Sequence, residues 1–114
     1  MFRFEKLEVY QKSIYLANYI YEISDKWPKE YSFNLTDQLR RAVISISLNI
    51  AEGYGRSSKE FKRFLEIARG SCFECVPVVE LAFRRGLLDA SEKQDLYQKL
   101  DEIARMLSSL KSKV

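Results

Sequence analysis

Ile44-Ser45-Ile46-Ser47-Leu48-Asn49-Ile50 is the stretch on which the fold turns. It alternates apolar and polar residues strictly and is rich in β-branched side chains, so taken locally it is a half-buried strand. Its surroundings say otherwise. The stretch lies in a segment from about Leu35 to Tyr54, within a run of more than 20 residues, 29–52, that contains neither Gly nor Pro. Leu35, Leu39, Ala42, Val43, Ile46 and Ile50 fall on one helical face. No second strand exists to pair with it, and a lone strand leaves its backbone groups unsatisfied. The segment is therefore predicted to be helix. That assignment puts Ile44, Leu48 and Ala51 on a different side from Ile46 and Ile50. A helix apolar on two sides needs cover on both. A four-helix bundle has no central helix, so an oligomer is expected.

Outward from this stretch the chain divides into long helical patterns. Before it, Val9, Ser13, Leu16, Ile20, Ile23 and Trp27 form one stripe, and Leu7, Tyr10, Ile14, Ala17 and Tyr21 form a second beside it. This first helix is predicted over about Leu7 to Trp27, ended by Pro28, and should touch neighbours on both sides. After it, Gly53-Tyr54-Gly55 breaks the second helix. Ser57 and Glu60 offer a capping box for a third. Its apolar face holds Phe61, Phe64, Leu65, Ala68, Cys72, Cys75, Val79 and Ala82, and Arg84-Arg85-Gly86 closes it. Pro77 inside this helix removes the bond to the Phe73 carbonyl, so a kink is expected there. Ser91 and Gln94 are predicted to box the fourth, which carries Leu96, Leu100, Ile103, Leu107 and Leu110 in a heptad-like stripe. Short connections between long helices predict one domain over residues 1–114, all-α, in an up-down-up-down four-helix bundle.

Composition supports this and narrows the chemistry. The chain has 114 residues, 46% hydrophobic, with 4 Gly and 2 Pro. An all-β sandwich needs a turn about every 8–12 residues, more than so few turn formers supply. There is no His, which removes imidazole bases, His-ligated metals and His-activated nucleophiles. No apolar run approaches the ~20 residues of a membrane span, and the opening residues do not resemble a signal peptide. Two Cys without a secretory signal suggest reduced thiols and a cytoplasmic protein.

Cys72-Phe73-Glu74-Cys75 has the CxxC spacing of redox and zinc sites. It falls mid-helix on the apolar face with no second CxxC, so two small buried hydrophobes is the preferred reading over a redox pair. Glu52, Glu66 and Glu74 offer a carboxylate site, but such residues more often pair with Arg, as Glu52 does with Arg56 at i,i+4. Asn49 beside the apolar rows is expected to be a buried, hydrogen-bonded packing residue.

Charge is the stronger signal. Residues 40–70 hold Arg40, Arg41, Arg56, Lys59, Lys62, Arg63 and Arg69 against Glu52, Glu60 and Glu66, while the flanking segments are near neutral. Lys59, Lys62, Arg63 and Arg69 lie away from the apolar face of the third helix. On a monomer of net charge +3 such a face serves solubility. Repeated around a symmetric ring, its field suits phosphate backbones.

Four blocks carry a family resemblance: Phe4-x-x-Leu7-x-Val9-Tyr10-Gln11; Gln38-x-x-Arg41-Ala42; Ser45-Ile46-x-x-Asn49-Ile50-Ala51-Glu52-Gly53-x-Gly55-Arg56; and Glu60-Phe61-x-x-Phe64-Leu65-x-Ile67-Ala68-x-Gly70-Ser71-x-x-Glu74. Together they span nearly the whole chain. They resemble the four-helix bundle protein family whose founding members are encoded within intervening sequences of bacterial 23S ribosomal RNA genes. The resemblance implies an antiparallel bundle that assembles as a homopentameric ring, without enzymatic activity, cofactor or metal. The family is similar to the accessory variability proteins of diversity-generating retroelements, basic pentamers that bind nucleic acid and associate with a reverse transcriptase. Pro77 and the two Cys depart from the family pattern. The expected function is non-enzymatic nucleic-acid binding, RNA-associated, with Arg40, Arg41, Arg56, Lys59, Lys62, Arg63 and Arg69 as phosphate contacts. An adaptor docking onto a protein such as a reverse transcriptase is the alternative, and a small carboxylate or thiol enzyme ranks last.

Overall fold

The computed structural model describes residues 1–114 and contains four long helices and no strand: α1 (Glu8–Ser24), α2 (Asp37–Gly53), α3 (Ser58–Arg84) and α4 (Ala90–Lys113). A 3₁₀ turn at Arg3–Lys6 precedes α1. A second 3₁₀ turn at Lys29–Tyr31 and a π-turn at Ser32–Thr36 lead into α2. The molecule measures 43 × 22 × 21 Å, and the 27 residues of α3 at 1.5 Å each account for its ~40 Å length. No helix is long and apolar enough to cross a membrane.

The alternating stretch is helical. Ile46 and Ile50 are fully buried with Leu39 and Val43, Ile44 is half-buried, and Leu48 is 62% exposed. Tertiary packing overrides the local strand signal because α1 and α3 both lie against this helix. Its two apolar sides thus have different fates within one chain: the Ile46–Ile50 side enters the core, and Leu48 faces out. α1 packs against both α2 and α4. Val9, Ser13, Leu16 and Ile20 of its first stripe are buried, whereas Ile14 of the second remains exposed; the helix ends at Ser24 rather than at Trp27, which is buried beyond it.

One continuous core joins these residues to Leu65, Ala68, Cys72, Cys75 and Val79 of α3 and to Leu96, Leu100, Ile103 and Leu107 of α4. Fully burying a side chain of the Val, Leu or Ile class contributes about 1.5–3 kcal/mol, so this cluster is the main stabilising term. α3 is continuous through Pro77.

Helix ends follow local chemistry, with two corrections. Ser57 Oγ accepts from the Glu60 backbone N–H at 3.2 Å, but the Glu60 carboxylate turns to Arg56, so the box at α3 is half-formed. At α4 the box is Asp89 and Glu92, not Ser91 and Gln94. Asp89 Oδ1 accepts from Glu92 N at 2.7 Å, and Glu92 Oε1 accepts from Asp89 N at 2.9 Å. A carboxylate accepts more strongly than a hydroxyl and also suits the positive end of the helix, so the earlier Asp starts it.

Two glycines act by different means at the α2–α3 turn. Gly55 has φ +85°, the left-handed region open to Gly. Gly53 is buried where the helices nearly touch: a Cβ there would lie 2.5 Å from Phe64 Cβ and 3.1 Å from Phe61 Cδ1. Only a missing side chain permits that approach.

Candidate nucleic-acid interface

Seven cations are expected to form one basic surface; the structure divides them. Arg40, near the start of α2, is drawn into the bundle with its side chain only 23% exposed. Its Nε donates to Ser24 Oγ at 2.9 Å, and its Nη2 donates to Tyr21 O at 3.2 Å and Asp25 Oδ1 at 2.8 Å. The guanidinium lies 4.3 Å from the centroid of the Tyr21 ring. Cations favour helix C-termini, where carbonyls lack partners. Arg40 therefore closes α1 and is committed to the fold.

Arg41 is 80% exposed and pairs with Asp37 at 3.0 Å. It lines a shallow groove with Asp37, Gln38, Ser45 and Glu74. The carboxylates in that groove make it a poor phosphate site. Twelve residues of helix separate Arg41 from Gly53, a rise of about 18 Å. Of the remaining five, Arg56, Lys59, Lys62 and Arg63 lie at or next to the α2–α3 turn, remote from Arg40 and Arg41, whereas Arg69 stands two residues before Ser71, which bonds to Ser45 of α2.

Those five belong to the α2–α3 turn and the first half of α3. Arg56 lies between two carboxylates, with Nη2 2.7 Å from Glu52 Oε1 and Nη1 3.2 Å from Glu60 Oε2, and its Nε donates to the Glu52 carbonyl. Hydrogen bonds to Glu60, then Glu52, raise its pKa above the ordinary value. Phe64 is bracketed by two guanidinium groups, Arg56 and Arg63, each 5.1 Å from the ring centroid. Arg69 stands over Phe73 at 4.9 Å, with Glu66 at 3.9 Å.

Lys59, Lys62 and Arg63 differ from all of these. They occupy the first two turns of α3, Lys59 and Arg63 exposed and Lys62 half-exposed, and none has a carboxylate within ion-pair distance. They are the cations of the expected set with no competing anion.

Other charges join them that the sequence reading did not include. Lys111 reaches Glu66 at 3.3 Å, bringing the last turn of α4 beside the early turns of α3. Phe4 packs edge-on against Tyr54 at 6.5 Å, bringing Arg3 and Lys6 to the α2–α3 turn. No periodicity marks these approaches. The Phe4–Tyr54 pair, an aromatic opening turn meeting an aromatic in the Gly-Tyr-Gly break, was the one available signal.

Thiol and carboxylate chemistry finds no assembled site. Cys72 and Cys75 are buried, and desolvation pushes both thiols up to about 12, so they stay protonated and unreactive at neutral pH. Glu52 is held by Arg56, Glu66 by Lys111 and Arg69, and Glu74 lines the Arg41 groove. No group of three or more Cys, Asp or Glu is placed to hold a metal ion. Asn49 is half-buried rather than buried, and donates to Ser45 O at 2.7 Å and Ser45 Oγ at 3.0 Å. Ser71 Oγ donates to Ser45 Oγ at 2.8 Å. The link between helices runs through the serines, with Asn49 bracing it.

Residues 5–109 match the family described as 23S rRNA-intervening sequence protein. None of the curated proteins matches the chain. Among solved structures it is similar to the crystal structure of a protein with unknown function from the S23 ribosomal protein family of Bacteroides thetaiotaomicron. The TM-score is 0.79 at 25% identity, covering 90% of this chain and 97% of that one.

Proposed function

Because the chain belongs to the family of 23S rRNA-intervening sequence proteins, we propose that it is a non-enzymatic protein that binds nucleic acid, RNA in the first place, through the basic end of its bundle. The observation that carries this reading is the cluster of Lys59, Lys62 and Arg63, cations left without anions while other cations of the expected set are paired. Phosphate contacts of this kind position a nucleic acid without reading its sequence. Arg3 and Lys6 extend the surface through the packing of Phe4 on Tyr54.

The antiparallel order of the helices is part of the proposal. It is supported by the pairings of α3 with α4: Glu80 meets Lys93 and Tyr97, and Glu66 meets Lys111, so partner numbers rise as the others fall. The homo-oligomeric ring, a pentamer by resemblance, is supported by Ile14, Leu48, Ile67, Phe73 and Leu81, which one chain leaves exposed. A ring repeats the cationic cluster around its axis and strengthens its field.

Binding of RNA and DNA across a salt series tests the central reading. Affinity should fall steeply as salt rises; no binding at low salt, or affinity indifferent to salt, would sink it. Light scattering tests the ring, which requires a mass several times 13.4 kDa. A clean monomer would leave the exposed apolar residues for a foreign protein. The adaptor reading, with a partner such as a reverse transcriptase, would then take precedence.

A further inference from the structure

We propose that the basic end selects single-stranded nucleic acid, by stacking an unpaired base on Phe2. The inference rests on the nucleic-acid reading above and adds to it the form of the ligand.

Phe2 is 70% exposed yet it is held in place. Its ring stacks on Phe4 with centroids 5.6 Å apart and planes 10° from parallel. Phe4 meets Tyr10 edge-on at 5.1 Å and Tyr54 edge-on at 6.5 Å, and Tyr54 meets Phe61 edge-on at 5.7 Å. Phe61 belongs to the core. Phe2, Phe4, Tyr54 and Phe61 thus connect solvent to core in series, and only the outermost ring has a free face. The backbone is fixed as well: Phe2 N donates to Glu5 Oε1 at 2.7 Å, and Glu5 N donates to Phe2 O at 3.1 Å. An aromatic face presented in a fixed orientation at such low cost in further ordering is suited to receive a flat partner.

Charge surrounds this platform. Arg3 and Lys6 flank Phe4 in sequence, and Lys59, Lys62 and Arg63 start the helix that follows Tyr54. Of the carboxylates on these segments, Glu5 accepts from the Phe2 N–H, and Glu52 and Glu60 pair with Arg56. Aromatic platforms beside phosphate-binding cations are how single strands are held without sequence preference, because every base offers a π-face. In a duplex those faces are already stacked on one another. A small aromatic ligand without phosphates would leave the cations unused, which is why a strand fits better than a free base.

Phe33 provides an internal control. It is 95% exposed and lies at the groove containing Asp37 and Glu74, where a phosphate would meet carboxylates.

Anisotropy titrations of the full chain with a short labelled oligouridylate RNA, and with a blunt RNA duplex of equal length, test the inference. The single strand is expected to bind more tightly than the duplex. Phe2→Ala should weaken single-strand binding about fivefold or more and leave the salt slope unchanged. Phe2→Trp should retain the affinity, and Phe33→Ala should have no effect. Because Phe2 is largely exposed, Phe2→Ala should keep the helical circular dichroism of the parent. Salt-dependent binding that ignores Phe2→Ala, or that favours the duplex, overturns the stacking inference while leaving the phosphate reading intact. Absence of binding to both probes at low salt overturns both.

Discussion

Arg40 and Arg63 are the same residue type, both within the segment of local positive charge, and they do different work. Arg40 has three hydrogen bonds and an aromatic face, and it fastens the end of α1 to the start of α2. Arg63 has an aromatic face and no anion. The same division holds more widely. Away from the α2–α3 turn, Arg84 and Lys93 converge on Glu80 at 2.8 and 2.6 Å, whereas Lys59 and Lys62 beside that turn are unpaired. Net charge over a segment does not distinguish a cation that holds the fold from one available to a ligand. Partners do.

The largest expected effect comes from the position that sets where the free cations stand. Gly53→Ala drives a Cβ to within 2.5 Å of Phe64 Cβ. So short an approach puts the overpacking cost at the upper end of its usual range, about 3 kcal/mol, against the ~1 kcal/mol that Ala gains over Gly within a helix. Chemical denaturation should show a net loss of about 2 kcal/mol, with RNA affinity reduced as the start of α3 shifts. Unchanged stability would mean that α2 and α3 separate there without strain.

Arg40→Ala should come next. Losing hydrogen bonds from a charged donor at a helix C-terminus should cost about 1–2 kcal/mol. The denaturation midpoint should fall while RNA affinity at fixed salt is retained. A variant with parent-like stability and weakened RNA binding would erase the distinction between the two arginines.

Glu80→Gln gives the smallest effect and a pH signature. Hydrogen bonds from Lys93, then Arg84, hold the Glu80 carboxyl down to about 2, below the ordinary 4.5. A depressed carboxylate stabilises the fold above its unfolded value, and this contribution is lost as pH falls from about 4.5 toward about 2. Melting temperatures of the parent and of Glu80→Gln should differ at neutral pH and converge through that window. A constant difference would show that Glu80 acts by packing alone.

Much of the fold was legible in the sequence because burial in a helix repeats every 3.6 residues. The stripes through Leu16 and Ile20, Leu65 and Cys72, and Leu100 and Leu107 are core in the structure as the spacing predicts. The stretch from Ile44 to Ile50 is legible only with its neighbours, since its alternation fits a strand equally well. Gly53 shows a further limit: its position in a break suggests a turn, but the contact that requires Gly comes from α3. The candidate site was legible in part. Arg56 with Glu52 is an i,i+4 pair and can be foreseen, whereas Arg40 meets Ser24 and Asp25 across two turns and a change of helix. Likewise, Arg3 and Lys6 join the basic end only through the packing of Phe4 on Tyr54.

Whether Lys59, Lys62 and Arg63 contact phosphate is measured directly by the salt slope of RNA affinity in the triple variant Lys59→Gln, Lys62→Gln, Arg63→Gln. Each lost contact to a single strand should reduce the slope by about 0.7, so the triple variant should lose about 2. Its stability should stay within about 1 kcal/mol of the parent, because none of the three makes an ion pair and Arg63 gives up only its contact with Phe64. A folded triple variant that binds RNA with the parent's affinity and the parent's slope would contradict the account.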